Sequence, residues 1–426
     1  MLDLKLIREE PERVRESLAR RGKADVLAAV DAVVALDERR RTLIAEVDGL
    51  RAERNEVSPR VGRLKQEGRH EDAAPLITAM RELGDRMAAL EDELAGIETQ
   101  VRDHLLNIPN LPEAVVPAGG EDANVTVREW GGEPSFGFEP RPHWELGEEL
   151  GILDLPRGTK ITGSGFPIYM GAGARVERAL INLMLDLHVA HGYTEVSPPF
   201  LVNEASATGT GHLPKYAEDM YFVNEDRLYL VPTAEVPITN LHAGEILEAA
   251  TLPRRYVSYT PCFRREAGSH GKDTRGILRV HQFDKVELLR FERADTSRAA
   301  LEELTSHAEA VLQRLGLRYR VLLLAGGDLG FANAQTYDLE VWAPGVGRWL
   351  EVSSCSLYND YQARRANVRY RPSPGARPEF AHTLNGSGLG LPRTLIAVLE
   401  SGQQADGSIV LPEALAEYAG TDRITR

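Results

Sequence analysis

Positions 33, 36, 40, 43, 47, 50, 54, 57, 61 and 64 advance by alternating threes and fours. Eight of the ten carry Val or Leu, with Arg40 and Arg54 as the exceptions. The rhythm returns at Leu76, Met80, Leu83, Met87, Leu90, Leu94, Ile97 and Val101. Such spacing keeps one stripe of a helix apolar, the heptad signature of helices packed along their length. The intervening QEGRHED is short and polar. The two helices are therefore predicted to fold back antiparallel as a hairpin over about residues 31–106. At 1.5 Å per residue each is about 40–50 Å long. Pro59 is expected to kink the first helix or end it near Val57. The pattern fits a spacer or dimerisation coiled coil as well as an arm that touches a large partner.

Residues 108–120 (IPNLPEAVVPAGG) hold three prolines and two glycines and end the helical pattern. The chain is thus divided into an N-terminal domain, 1–107, a linker, 108–120, and a body, 121–426. In the body, residues 176–189 (VERALINLMLDLHV) read as an amphipathic helix. RLYLVP, RRYVSYTP, VELLRFE, LRYRVLLLAG, TYDLEVWAP and RWLEVSS read as strands. The last two are joined by PGVG, a hairpin signal. Strands linked by turns favour an antiparallel sheet flanked by helices, an α+β body.

Composition narrows the classes. The 426 residues are 42 % hydrophobic and carry a net charge of −14, which argues against indiscriminate nucleic-acid binding. Six basic and three acidic residues between Arg51 and His70 reverse that sign locally. Seven of the fifty basic residues are lysines, so arginine there reflects a chain-wide bias. With two cysteines, Cys262 and Cys355, neither a disulfide scaffold nor a structural zinc site is expected. No apolar run approaches a membrane span and no secretory leader opens the chain, so a cytoplasmic protein is expected. GxxxxGK[ST] and HExxH are absent, and Gly171-Ala172-Gly173 lacks the third glycine of a dinucleotide fingerprint.

What carries chemistry is Phe263-Arg264-Arg265-Glu266, a polar Gly-rich loop, and a return segment from Arg279 to Glu287. Strand alternation places Arg264 with Glu266, and Arg279, His281, Phe283, Lys285 and Glu287 on one face. An aromatic, a carboxylate and a guanidinium together suit an adenine nucleotide. A salt-bridged surface hairpin fits the same periodicity. A second element, Gly386-Ser387-Gly388-Leu389-Gly390-Leu391-Pro392-Arg393, runs into an apolar helix and lets backbone approach a ligand.

The FRxE hairpin resembles motif 2 of the class II aminoacyl-tRNA synthetases, and the segment ending at Arg393 resembles motif 3. HGYTEVSPPFLVN resembles motif 1, the dimer-forming element. GTGHLPKYAEDMYF, PTAEVPITNL, TRGILRVHQFDKVE and EVSSCSLYNDYQARRANVRYR resemble the seryl-tRNA synthetases in particular, over essentially the whole chain. The resemblance implies a homodimeric bacterial-type ligase that forms seryl-adenylate from L-serine and ATP. It implies transfer of the seryl group to tRNA(Ser), and to tRNA(Sec), through the coiled-coil arm. It assigns catalysis to Arg264 and Arg393, on the α- and γ-phosphates. The ATP site is implied to comprise Arg264, Arg265, Glu266, Val280, Phe283, Glu351, Val352, Ser353, Ser354 and Arg393. Glu351 and Ser354 are implied to hold Mg²⁺. Serine is implied to sit against Thr233, Ala234, Glu235, Glu287 and Ser387. Glu287 read alone is equally an ordinary strand carboxylate paired with Lys285 or Arg279. Gly165 departs from the family pattern, where arginine is expected.

Overall fold

The computed structural model describes residues 1–22, 25–267 and 274–426. Residues 268–273, in the polar Gly-rich loop, lie outside the described residues. The chain forms two units: Leu2–Ala19 with Lys23–Pro109, and Asn110–Arg426 with Met1 and Arg20–Gly22.

The first unit is helical. Two short helices, α1 (Leu4–Glu9) and α2 (Pro11–Ala19), precede the long pair α3 (Asp25–Gln66) and α4 (His70–Asn107). The heptad stripe is what packs: Val33, Leu43 and Val47 on α3 and Met87 and Val101 on α4 are buried. Arg40, off pattern, is held by Glu98 at 3.1 Å and by the buried Asp37 at 3.6 Å. Arg54, also off pattern, stays exposed. Of the two outcomes expected at Pro59, an end near Val57 does not occur: α3 runs through Pro59 to Gln66. Proline removes one N–H from the ladder. Burial of Val61 and Leu64 beyond it favours continuing the helix.

The second unit is built on an eight-stranded sheet. Its strands are β1 (Val125–Trp130), β2 (Thr194–Glu195), β3 (Arg254–Phe263), β4 (Gln282–Glu292), β5 (Tyr319–Leu323), β6 (Gln335–Ala343), β7 (Arg348–Asn359) and β8 (His382–Gly390). They lie in the order β1-β5-β6-β7-β8-β4-β3-β2. All neighbours are antiparallel except β2 beside β3. Helix α5 (His143–Glu149) lies near one end of the motif 2 return segment. Helices α6 (Ala172–Ala190), α7 (Ser297–Arg314) and α8 (Leu391–Gly402) supply much of the main core. There Leu180, Met184, Leu304, Val311, Ile396 and Leu399 pack with Val286, Leu288, Leu339, Val352 and Leu384.

Alternation along β4 sends Val286 and Leu288 into that core and leaves Phe283, Lys285 and Glu287 for a cavity. The regular strands stop earlier than the sequence suggests: β3 ends at Phe263 and β4 begins at Gln282. Arg264, Glu266, Arg279 and His281 therefore stand on the loop stems. His281 leaves the predicted common face and packs on Phe166, centroids 5.4 Å apart.

Candidate active site

A cavity of about 340 Å³ opens over the centre of the sheet. Arg264, Glu266, Val280, Phe283, Glu351, Val352, Ser354 and Arg393 line it, as do Thr233, Glu235, Glu287 and Ser387. Three residues from the implied set lie elsewhere. The Ala234 side chain sits in a second core with Ile238 and Phe291. Arg265 is exposed, with its guanidinium 5.9 Å from the Tyr221 ring. Ser353, on the opposite face of β7 from Ser354, donates to the Ser387 carbonyl at 2.7 Å.

The inner end of the cavity is dense with partnered polar groups. Ser387 on β8 and Ser258 on β3 flank Glu287 in register. The buried Glu287 carboxylate is paired with the buried Lys285 ammonium. It also accepts from Asn385 Nδ2 at 2.9 Å and from Thr233 Oγ1 at 3.3 Å. Glu235 accepts from Gln362 Nε2 at 2.6 Å. Tyr358 donates to Asn385 Oδ1 at 2.7 Å, which fixes that amide's orientation. Burial pushes both the Glu235 and Glu287 carboxyls up, while the Lys285 charge opposes it. Two acids and one lysine form a pocket suited to a small ligand carrying an ammonium and a hydroxyl.

The outer end is more open and rich in arginine. The Arg264 guanidinium lies 5.0 Å from the Phe283 ring centroid, and its Nε donates to the Pro232 carbonyl at 3.3 Å. Glu266, at φ +52°, is held by Arg279 at 2.7 Å. Arg393, in the first turn of α8, donates to the Leu278 carbonyl at 3.3 Å and the Glu351 carbonyl at 2.9 Å. Guanidinium groups around an aromatic plane match the phosphates and base of a nucleotide.

Glu351 and Ser354 adjoin each other, Ser354 Oγ donating to Glu351 Oε1 at 3.2 Å. Asp338, opposite Ser354 in the β6–β7 register, has a buried Oδ1 without a hydrogen-bond partner. Its carboxyl is pushed well up by burial and by the Glu351 charge. The hard oxygen donors of Glu351 and Ser354 suit Mg²⁺. Among the described residues no three His, Cys, Asp or Glu side chains group as a self-sufficient metal site.

Gly165 occupies a position where a side chain would be both strained and crowded. Its φ is +81°, and a Cβ there would meet His281 Cδ2 at 2.5 Å. Its carbonyl accepts from the His281 N–H at 2.8 Å. No side chain fits while the ring stays.

Residues 220–402 match the model of the tRNA synthetase class II core domain (G, H, P, S and T). Residues 1–112 match that of the seryl-tRNA synthetase N-terminal domain. A serine–tRNA ligase of Pelobacter propionicus is 52 % identical over 422 residues, 99 % of each chain. The chain belongs to the serine–tRNA ligase family. Its class is that of the class II aminoacyl-tRNA synthetases, and its fold, an antiparallel sheet with helices and a long N-terminal helical hairpin, is the family's. The seryl-tRNA synthetase of Pyrococcus horikoshii, solved with ATP, superposes with a TM-score of 0.95 at 37 % identity. That match covers 100 % of this chain and 99 % of the other. The synthetase of M. kandleri, solved with A. aeolicus tRNASec, is alike in fold, with a TM-score of 0.58 at 18 % identity. Here 80 % of this chain and 70 % of the other are covered. Among the described residues no helix is long and apolar enough to cross a membrane.

Sequence reasoning passed over Lys285 as a site residue, although it shares the β4 face with Glu287. Asn333, Ser356, Tyr358 and Asn385 also line the cavity. They come from separate segments; Ser356 and Tyr358 fall within EVSSCSLYNDYQARRANVRYR, but that resemblance did not single them out.

Proposed function

We propose that this chain activates L-serine with ATP as seryl-adenylate and transfers the seryl group to tRNA(Ser), and to tRNA(Sec), as a cytoplasmic homodimer. Its parts are a tRNA-binding domain, 1–107, a linker, 108–120, and a catalytic domain, 121–426. The observation that carries the reading is Glu287, a buried carboxylate surrounded by Thr233, Asn385 and Lys285 at the closed end of an arginine-lined cavity.

The serine carboxylate attacks the α-phosphorus and pyrophosphate leaves, so the protein needs no nucleophile of its own. Arg264 neutralises charge that grows on the α-phosphate, and Arg393 holds the γ-phosphate of a bent ATP. Phe283 stacks on adenine, Glu266 accepts from its amine, and Val280 and Val352 line the base and phosphate walls. Glu351 and Ser354 would hold Mg²⁺, which would supply charge neutralisation at this end of the cavity. Glu235 answers the serine ammonium, while Glu287 and Ser387 meet its hydroxyl. In the second step a terminal ribose hydroxyl attacks the acyl carbonyl and AMP departs.

Two assays test this. Pyrophosphate exchange with each amino acid in turn should respond to serine, and aminoacylation of total tRNA should label serine acceptors. Replacing residues 31–106 with a short linker should leave exchange intact and abolish efficient charging. Exchange driven by another amino acid refutes the substrate assignment. Normal charging by the shortened chain refutes the role of the arm.

A further inference from the structure

His143 and Glu400 lie outside the motifs considered so far, and both are fully buried. Glu400, on α8, is surrounded by donors. Its Oε1 accepts from the His143 backbone N–H and faces His143 Nδ1, both at 2.9 Å. Its Oε2 accepts from the N–H groups of Gly345 at 2.8 Å and Val346 at 3.0 Å. A carboxylate so supplied obliges Nδ1 to carry the imidazole proton. The other nitrogen, Nε2, is then a lone pair, and the Ile277 N–H donates to it at 3.1 Å. A doubly protonated ring would set two donors against each other there.

Ile277 belongs to the return stem of the motif 2 loop. It and its neighbours Leu278 and Val280 line the outer end of the cavity. Helix α5 grips the same stem twice more. Trp144 lies under the Arg275 guanidinium at 4.7 Å. Gly276, at φ +60°, presses so closely on the His143 ring that a Cβ would overlap Nε2. From the other side, Arg393 holds the Leu278 carbonyl. The wall of the base pocket is thus suspended between Arg393 and an imidazole whose tautomer is set by a buried glutamate.

We propose that His143, oriented by Glu400, is a positioning residue for nucleotide binding: it holds residues 277–280 in place through the Ile277 N–H. The proposal rests on the reading of the outer cavity as the ATP site. It places no demand on the inner pocket, so ATP and serine respond differently. Loss of one buried hydrogen bond predicts about a ten-fold rise in KM for ATP.

The test compares His143→Phe, which fills the space without a lone pair, with His143→Gln, which keeps an acceptor. Gly276→Ala crowds the ring from the loop stem and leaves His143 itself in place, and it serves if His143→Phe fails to fold. Steady-state exchange gives KM for ATP and for serine, and equilibrium titration gives the Kd for ATP without serine. Expected are weaker ATP binding in the Phe and Ala variants, a serine KM within two-fold of wild type, and recovery in the Gln variant. Unchanged ATP affinity in both Phe and Ala variants overturns the proposal. An equal rise in both KM values without recovery by Gln also overturns it, since that marks general structural damage. A wild type that binds ATP but exchanges with no serine refutes the functional reading and leaves the ATP titration to judge His143.

Discussion

Charge is used in opposite ways in the helical unit and in the cavity of the body. On the hairpin, Arg39–Glu93 at 2.7 Å and Arg51–Glu91 at 2.8 Å join helices whose ionic side chains are nearly half exposed. Water competes for every partner, and the apolar stripe beneath sets the geometry. In the cavity, Lys285 and Glu287 are buried and paired with each other. A mutation on the hairpin surface removes a contact. The same mutation in the cavity strands a charge. The hairpin therefore draws its stability from its stripe, and the cavity draws its selectivity from its ions.

The sharpest way to break that contrast is at the phosphates. Arg264→Ala or Arg393→Ala is expected to slow serine-dependent pyrophosphate exchange by about 10²–10⁴-fold, the usual loss of a transition-state charge partner. Folding should be little changed, because both guanidinium groups lie in an open cleft. Near wild-type exchange in both variants would remove the outer cavity from the chemistry.

Next in size is selection. A site built to hydrogen-bond a hydroxyl rejects the analogue lacking it by about 10⁴-fold. Glu287→Ala should cost most of that discrimination between serine and alanine, read as the ratio of kcat/KM values, with a smaller change in KM for ATP. Retained discrimination would move the hydroxyl pocket elsewhere.

On the hairpin the expected effects are energetic and leave exchange alone. Leu43→Ala, at a buried heptad position, should destabilise the helical unit by about 2–5 kcal/mol in urea unfolding. Arg39→Ala should change it by about 0.2–1 kcal/mol, shrinking further at high salt. An Arg39 effect as large as that of Leu43 would erase the distinction between the regions.

The hairpin was legible because its rule is one-dimensional: a period of three and four, kept for two helices, specifies a stripe. Only the stop expected at Pro59 does not occur, since a local cost was weighed without the burial of Val61 and Leu64 beyond it. The β3–β4 hairpin was legible, but the sheet order was not, because pairing β4 with β8 joins residues far apart in sequence. Phe283, Lys285 and Glu287 could be placed on one face by alternation. The same rule misplaced His281, which stands on a loop stem where alternation no longer holds. Ala234 and Ser353 show the converse: each adjoins a cavity residue, and its own side chain points into packing. Tyr358 lay inside a segment that the resemblance covers without being singled out, while Asn333 and the His143–Glu400 pair were beyond reach, since nothing local distinguishes them from ordinary polar residues.

Gly165 and His281 constrain each other through one close contact. A side chain at 165 would be strained at φ +81° and would overlap the imidazole. The ring does not depart freely, for its Nδ1 lies 3.0 Å from the Arg264 carbonyl. Removing the ring would clear the space and leave the backbone at φ +81°, so a side chain at 165 needs a local change of backbone as well as of its neighbour.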